Sequence, residues 1–443
     1  MKSLSMRNRC VIGFTLFSMF FGAGNLIFPP LLGAEAGSST IPAMVGMLLT
    51  AVVLPALAVI SVAKHDGLKN LAGSIHPAFA TVYAVLIHLL IGPFVAIPRT
   101  ASTSFEMAVV PFLSDGVSAE SLLIMRCIYS FTFFVIATIV ALKPTRLKDL
   151  LGKVMTPILL ILIAVIFVGV VVKFPTVVRQ ADASYKGHAL QHGFVTGYQT
   201  MDILAAFNFG AVIAMNIEAF GVKNRKGVAK ETILAGIGAG ILLCIVYSAT
   251  AYIGVLCSSK VGNVENGTQI LTYAVHACFG IYGKVLIGII FFIACFNVCV
   301  GLLCCCSAYF HELVPKISYF KWLLVFSVFS FVISCAGLNA ILNVSLPILK
   351  VMCPIAIALT FYGLVRRKRH PGMTVECIYV PLLMAASKAA DDLSVASVTR
   401  GIENPNPRTC LVQIKCGAAD WGVMAVAVAY LIFELCVRGG VIG

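Results

Sequence analysis

FFGAGNLIFPP, residues 20–30, interrupts an apolar stretch long enough to cross a bilayer. The run from Cys10 to Leu32 exceeds the roughly 20 residues that a spanning helix needs, yet Gly22, Gly24, Asn25, Pro29 and Pro30 sit through its middle. Glycine costs about 1 kcal/mol and proline about 3 kcal/mol relative to alanine in a helix interior. Pro29 and Pro30 also donate nothing to the carbonyls of Asn25 and Leu26. In hydrocarbon an unpaired backbone group costs several kcal/mol, so irregular backbone at that depth is confined to places that are buried in protein or line a cavity. A discontinuous first helix is therefore expected to be a binding site built from half-helix ends.

Composition extends the membrane reading to the whole chain. The 443 residues are 60% hydrophobic and 11% charged, with a mean hydropathy of +0.99, whereas soluble domains carry about 25% charged residues. Twelve candidate spans follow, at 10–32, 41–63, 78–98, 119–142, 150–173, 195–220, 231–256, 284–310, 322–337, 340–365, 373–388 and 419–437, the eleventh giving the weakest signal. A net charge of +14 would suit nucleic acid, but the charges sit in the connections between spans. With the N-terminus inside, the cytoplasmic connections, which include Lys143, Arg146, Lys148 and the run from Arg366 to Arg369, hold about twice the Lys and Arg of the outer ones, the positive-inside bias. Both termini are thus expected in the cytoplasm, with the lipid bilayer and no nucleic acid as partner.

Lys2, Arg7 and Arg9 ahead of an apolar run mimic a cleavable signal, but that run continues through Leu26 to Leu32 and eleven further spans follow, which favours an uncleaved first helix. Most of the 16 cysteines lie within spans, where a free cysteine behaves as a small hydrophobe. Cys410 and Cys416 can bridge if they face an oxidising compartment, and no zinc-type spacing with histidines appears.

Ionisable residues inside spans are functional candidates, because a charge at a helix centre costs about 2.5–3.5 kcal/mol on insertion scales. Asp202 divides evenly between a site or gating role and a buried polar contact. Arg99 and Glu106 share a helix face about 10 Å apart along the axis, too far for an assured salt bridge, within the polar run PRTASTSFE (98–106) that is expected to line a permeation path. Glu218 reads as a solvated span end and His88 as a packed helix residue. Arg126 and Lys350 have no role that the sequence defines. The tripeptide Phe21-Gly22-Ala23 of the first span recurs as Phe209-Gly210-Ala211 in the sixth, and interruptions at matching points of two halves mark a binding site.

Four segments, FFGAGNLIFPPLLGAEAG (20–37), GPFVAIPRTASTSFEMAVVP (92–111), GFVTGYQTMDILAAFNFGAVI (193–213) and FIACFNVCVGLLCCCSAYF (292–310), resemble the branched-chain amino acid to sodium symporters of bacteria, within the amino acid, polyamine and organocation superfamily. The resemblance implies an all-α integral membrane protein of about 12 transmembrane helices with a LeuT-like five-plus-five inverted repeat and broken helices 1 and 6. Residues 1–173 would form the first repeat, 174–365 the second, and 366–443 two accessory helices. It implies a carrier of the bacterial inner membrane that imports leucine, isoleucine, valine and, at the margin, methionine by sodium symport and alternating access.

Half-helix ends then supply the chemistry. The N–H groups of Ala23, Gly24 and Asn25 are expected to receive the substrate carboxylate at the positive end of a helix dipole, with Gly22 and Gly24 admitting it close to the backbone. Carbonyls near Phe20 and Phe21, with those of Ile203 and Leu204, are expected to receive the ammonium. Phe207, Phe209 and residues of the third and eighth spans would flank the aliphatic side chain, with Gly210 at the matching break of the sixth span, although helix packing is the plainer reading of any one aromatic. For sodium the resemblance implies carbonyls of Ser18 and Phe21 facing Val300, Leu303 and Cys304. Leu303 and Cys304 offer no side-chain oxygen to a hard cation, so Asn297 or Ser307 would have to compensate. A proton-coupled or sodium-independent carrier is the alternative, with Lys153 as a fixed positive charge in place of sodium. A channel would need a continuous polar pore, and a receptor would bind without transport. No phosphate-binding loop, zinc motif or nucleophile elbow points to an enzyme, and no cofactor is expected beyond the co-transported sodium.

Overall fold

The computed structural model describes residues 4–365 except 66, 76, 114–116, 145–146, 176–177, 223 and 261–266. The expected eleventh and twelfth spans, the accessory unit 366–443, the Arg366 to Arg369 run and the Cys410–Cys416 pair lie outside the described residues.

Among the described residues every regular element is helical. The first expected span is two helices, α1 (Met6–Phe20) and α2 (Ala23–Ala36), separated by extended Phe21 and Gly22. The prolines do not make the break. Pro29 and Pro30 run inside α2, and their turn of helix is covered by backbone: a Cβ on Gly254 would lie 2.0 Å from the Pro30 carbonyl oxygen, and one on Gly267 would lie 1.8 Å from that of Ile27. Helices α3 (Thr40–Leu48) and α4 (Leu54–Lys64) are joined by a π-helical turn at Leu49–Val53. A short α5 (Leu68–Gly73) precedes α6 (Pro77–Leu89). A second π-helical turn, Leu90–Phe94, contains non-helical Gly92 and leads into α7 (Ala96–Ala108). Such wide turns leave backbone groups off the regular ladder and cluster at functional sites.

The remaining elements are α8 (Ala119–Ala141), α9 (Thr156–Lys173), α10 (Ala189–Tyr198), α11 (Asp202–Glu218), α12 (Arg225–Cys257), α13 (Gly267–Leu313), α14 (Tyr319–Ser334) and α15 (Leu338–Val365). Ser118, Asn224 and Ser318 cap α8, α12 and α14 with side-chain oxygens, each satisfying a first-turn N–H.

Among the described residues, six continuous helical runs are long and apolar enough to cross a membrane: Ala23–Lys64, Phe79–Phe112, Ala119–Ala141, Asp149–Lys173, Arg225–Cys257 and Gly267–Leu313. Two bent pairs bring the number to eight, Ala189–Tyr198 with Asp202–Glu218 at 42° and Tyr319–Ser334 with Leu338–Ser345 at 106°. The sequence divides this region differently because the break leaves α1 and α2 too short to span alone, while α2 continues through Gly37–Ser39 into the second expected span.

The second interruption departs from the expected Phe209-Gly210. Helix α11 passes unbroken through Gly210, and the break lies at Gln199 to Met201, where Met201 adopts a left-handed conformation (φ 64°, ψ 9°). One glycine in a helix costs about 1 kcal/mol, which packing offsets. A left-handed non-glycine residue, by contrast, cannot be accommodated within a right-handed helix.

Small residues bring the halves together. A Cβ on Gly33 would meet the Ala251 carbonyl oxygen at 2.0 Å, which presses α2 onto α12. A Cβ on Gly46 would meet the Leu190 carbonyl oxygen at 2.0 Å, and one on Gly193 that of Ala43 at 1.8 Å, which does the same for α3 and α10. Close backbone contact of this kind is how helices associate where no hydrophobic driving force separates protein from lipid. Each half-helix beside a break thus packs on the helix that follows the other break. The segment ahead of α10 is fixed to the end of α2, with Asp182 N donating to the Glu35 carbonyl and Tyr185 OH to Glu35 Oε2 at 3.2 Å. Burial pushes the Tyr185 phenol above the usual tyrosine range, so it stays a donor.

Candidate functional site

The two breaks meet in the buried interior, where Asn25 of one contacts Asp202 of the other. At the first, the Gly22 N–H donates to Asn25 Oδ1 at 2.9 Å, which turns the Asn25 amide nitrogen outward from α2. That Nδ2 donates to Asp202 Oδ2 at 2.8 Å and contacts Tyr247 OH, while Tyr247 OH donates to the same Asp202 oxygen at 2.8 Å. Asn25, Asp202 and Tyr247 are all buried, so the starts of α2 and α11 and the middle of α12 form one polar junction. Asp202 is the first residue of α11, where the positive end of the dipole favours a carboxylate.

Arg99 enters from α7 and is also buried. Its Nη1 donates to the Gln199 carbonyl at 3.1 Å, at the end of α10, and its Nη2 lies 3.1 Å from where a Cβ on Gly24 would sit. A cation at a helix C-terminus satisfies carbonyls that have no intrahelical partner. Phe20, Gly22, Asn25, Arg99, Thr200 and Asp202 are among the residues around a cavity of about 20 Å³. One water needs on the order of 10–15 Å³ by this measure, so the cavity admits a single water and is closed to an amino acid.

The expected substrate residues divide. Phe20, Gly22, Ala23, Asn25 and Phe209 line the cavity, with the Phe20 and Phe209 rings edge to face at 5.0 Å. Gly24 stands against Arg99 and Thr200, and Gly210 packs towards Val62 within α11. Phe21 stacks on Phe17 at 5.1 Å and leans on Tyr247. Phe207 is buried within α11. Ile203 and Leu204 are also buried, but they occupy the first turn of α11. Helix carbonyls point towards the C-terminus, so theirs turn away from the break. The carbonyls that face it belong instead to the last turns of α1 and α10, a consequence of the break lying at residues 199–201.

Around the expected cation residues, Asn297 Nδ2 donates to Ser18 Oγ at 2.6 Å, while Asn297 Oδ1 and Ser307 Oγ are buried without a partner. Val300 and Leu303 are fully buried. The Cys304 thiol turns to the Ala141 carbonyl of α8 at 3.5 Å. Lys153 is not brought to the site either. It pairs with Asp149 one turn away at 2.5 Å, and its side chain is 43% exposed.

Arg99 and Glu106 do not pair. Glu106 meets Arg126 at 3.3 Å, and both line a second cavity of about 710 Å³ with His276, Lys284 and Gly337. At the opposite end of the bundle, Arg9 grips Glu231 through Nε at 2.8 Å and Nη2 at 2.9 Å, and the Leu4 N–H adds a third bond at 3.3 Å. Sequence reasoning missed Tyr247, Thr200 and Met201. Tyrosine carries no charge to flag it inside a span, and nothing in the residue type of Met201 announces a left-handed turn.

Across residues 5–414 the chain matches the profile of the family described as branched-chain amino acid transport protein. It is 39% identical over 362 residues to the branched-chain amino acid permease BrnQ of Bacillus subtilis, covering 81% of each chain. To the branched-chain amino acid permease BraB of the same organism it is 37% identical over 358 residues, covering 81% of this chain and 80% of that one. A putative branched-chain amino acid carrier protein of Staphylococcus aureus is 37% identical over 379 residues, 82% of this chain and 83% of its own. Among solved structures the fold is similar to Mhp1, a nucleobase-cation-symport-1 family transporter in a closed conformation with bromovinylhydantoin bound, with a TM-score of 0.52 over 82% of this chain and 79% of that one at 12% identity.

Proposed function

The chain belongs to the branched-chain amino acid transport protein family, and we propose that it imports leucine, isoleucine and valine, with methionine at the margin, by sodium symport and alternating access. The observation that carries this reading is the Asn25–Asp202–Tyr247 junction, which joins two helix breaks around one buried cavity. Irregular backbone at that depth requires protein or a ligand to satisfy it.

A zwitterion has a matching set of groups here. Its carboxylate goes to the free N–H groups at the start of α2, with Arg99 as the nearby positive charge. Its ammonium goes to the end carbonyls of α1 and α10 and to Asp202. Phe20 and Phe209 give the aliphatic side chain a dry wall. Because the cavity of about 20 Å³ is too small for any of these substrates, the half-helices part to admit one and close over it.

Sodium travels with the amino acid as cargo. The unpartnered Asn297 Oδ1 beside Ser18 Oγ supports a cation between α1 and α13, since a hard cation takes oxygen ligands. The paired clamps of α2 on α12 and α3 on α10 support the five-plus-five repeat, with 1–173 and 174–365 as its halves. In the orientation given by the positive-inside bias, in a bacterial inner membrane, the Arg9–Glu231 grip faces the cytoplasm and the cavity of about 710 Å³ faces outward. The deciding experiment is labelled-leucine uptake into proteoliposomes with sodium and proton gradients imposed independently. Saturable uptake driven by inward sodium is expected. Uptake that ignores sodium and follows a proton gradient moves the coupling to the proton, and no saturable uptake under either gradient overturns the carrier.

A further inference from the structure

Beside the larger cavity, α8 and the end of α14 meet through two cysteines. Cys127 Sγ and Cys335 Sγ lie 3.1 Å apart, and both residues are half-buried and free. Neither belongs to the central site. Arg126 spans the same two elements, with Nη1 reaching the Cys335 carbonyl at 3.5 Å. Two residues beyond Cys335, Gly337 holds φ +90°, and a Cβ there would sit 2.7 Å from Arg126 Nη1. The chain then turns by 106° from α14 into α15. Arg126, Ala336 and Gly337 all line the cavity, so the thiol pair sits where the cavity wall joins a sharp bend.

We propose that Cys127 and Cys335 form a reversible disulfide that ties α8 to the α14–α15 bend and stops transport by holding the outer cavity in one shape. The inference rests on the carrier reading. Sulfurs at this separation close by about 1 Å to reach the bond length of about 2.05 Å. The chemistry is thiol–disulfide exchange. One thiolate attacks a protein or small-molecule disulfide on the outer side and releases one of its thiols. The second thiolate then attacks the mixed disulfide and releases the other. The two cysteines lose two electrons and two protons, and the external disulfide takes up both. Disulfides persist outside the cytoplasm and are reduced within it, and the positive-inside bias places this end outside. Cys304, Cys305 and Cys306, by contrast, are buried, where a thiol is inert. A carrier that alternates access must reshape its outer cavity in every cycle, and a covalent tie across the wall opposes that.

The test uses the full-length protein in proteoliposomes, treated on the outer face with oxidised glutathione, then digested and searched by mass spectrometry for a Cys127–Cys335 linked peptide, with leucine uptake measured in parallel. The linked peptide should appear, most uptake should be lost, and dithiothreitol should restore it. Cys127→Ser and Cys335→Ser should each keep their uptake under oxidation, and Cys335→Ala serves where a serine variant fails to insert. No linked peptide in the oxidised wild type overturns the site, and a linked peptide with undiminished uptake overturns the block. Reduced wild type that takes up no leucine counts against the carrier reading instead, and leaves the linked peptide to decide the disulfide by itself.

Discussion

Asn25 Nδ2 donates to Asp202 Oδ2 across 2.8 Å, which ties the first turn of α2 to the first turn of α11. Two helix N-termini therefore converge on one carboxylate, each presenting unpaired N–H groups and a positive dipole end. Arg99, buried at the end of α10, adds a full positive charge to the same place. The site is thus rich in donors, which suits an arriving carboxylate, while Asp202 supplies the negative charge that an ammonium needs.

Tyr247→Phe tests whether this junction serves the ligand. The substitution removes one of the two side-chain donors to Asp202 Oδ2, and a hydrogen bond to a charged group contributes about 1.5–3 kcal/mol, roughly a tenfold to hundredfold change in a binding constant. Leucine affinity, measured by equilibrium binding to purified protein, should fall by at least the smaller factor while insertion and yield hold. Wild-type affinity in this variant would reduce the junction to a packing device.

Gly24→Val and Gly33→Ala should fail in different ways. At Gly24 an added Cβ meets Arg99 Nη2 at 3.1 Å and the Thr200 backbone at 3.3 Å, so valine fills the approach to α2 while the flexible arginine gives way. Leucine binding should vanish with the protein still folded. At Gly33 the Cβ lands 2.0 Å from the Ala251 carbonyl oxygen, a backbone atom that cannot yield. That variant should lose thermal stability and folded yield, read by size-exclusion chromatography after heating. Undiminished leucine affinity in Gly24→Val would remove α2 from the site.

The first break was legible because Gly22, Gly24 and Asn25 interrupt an apolar run whose length is otherwise right for a span. The second was misplaced by about ten residues, since Phe209-Gly210 repeats the first motif while the actual stop depends on the backbone of Met201, a conformation with no residue signature. Asp202 stood out as a charge inside a span. Tyr247 did not, because its importance comes only from the fold bringing it to Asp202. Arg126 lacked a role for the same reason: its partner Glu106 lies on a different helix, and spacing along one helix reveals nothing about contacts across two. Lys153 stands at the cytoplasmic edge of the fifth expected span, and the π-helical segment Lys148–Met155 leaves its side chain exposed beside Asp149.

Substrate choice should be broad within aliphatic side chains. The backbone of the ligand is read by helix ends and fixed charges, and its side chain by apolar contact with residues such as Phe20 and Phe209. One methylene in such a pocket is worth about 1–3 kcal/mol, too little for strict discrimination. Excess unlabelled isoleucine or valine should therefore suppress labelled-leucine uptake, while lysine and glutamate should not. Leucine uptake that is untouched by a large excess of isoleucine would rule out a shared pocket.

Coupling separates the two cation readings through residues that lie apart. If sodium sits between α1 and α13, Asn297 Oδ1 is a ligand in waiting, buried without a partner while its Nδ2 holds Ser18 Oγ at 2.6 Å. Asn297→Ala should then raise the sodium concentration needed for half-maximal uptake, and Ser18→Ala should do so less, since the Ser18 carbonyl survives the change. Lys153→Ala should leave uptake and its sodium dependence as they are, because that side chain faces Asp149 at the surface and an exposed pair of this kind contributes about 0–1 kcal/mol. The reverse pattern, full uptake in sodium-free medium under an inward proton gradient and its loss in Lys153→Ala, would assign coupling to the proton. Leu303 and Cys304, which lack side-chain oxygens where the resemblance places cation ligands, would then be the reason that sodium has no place to bind.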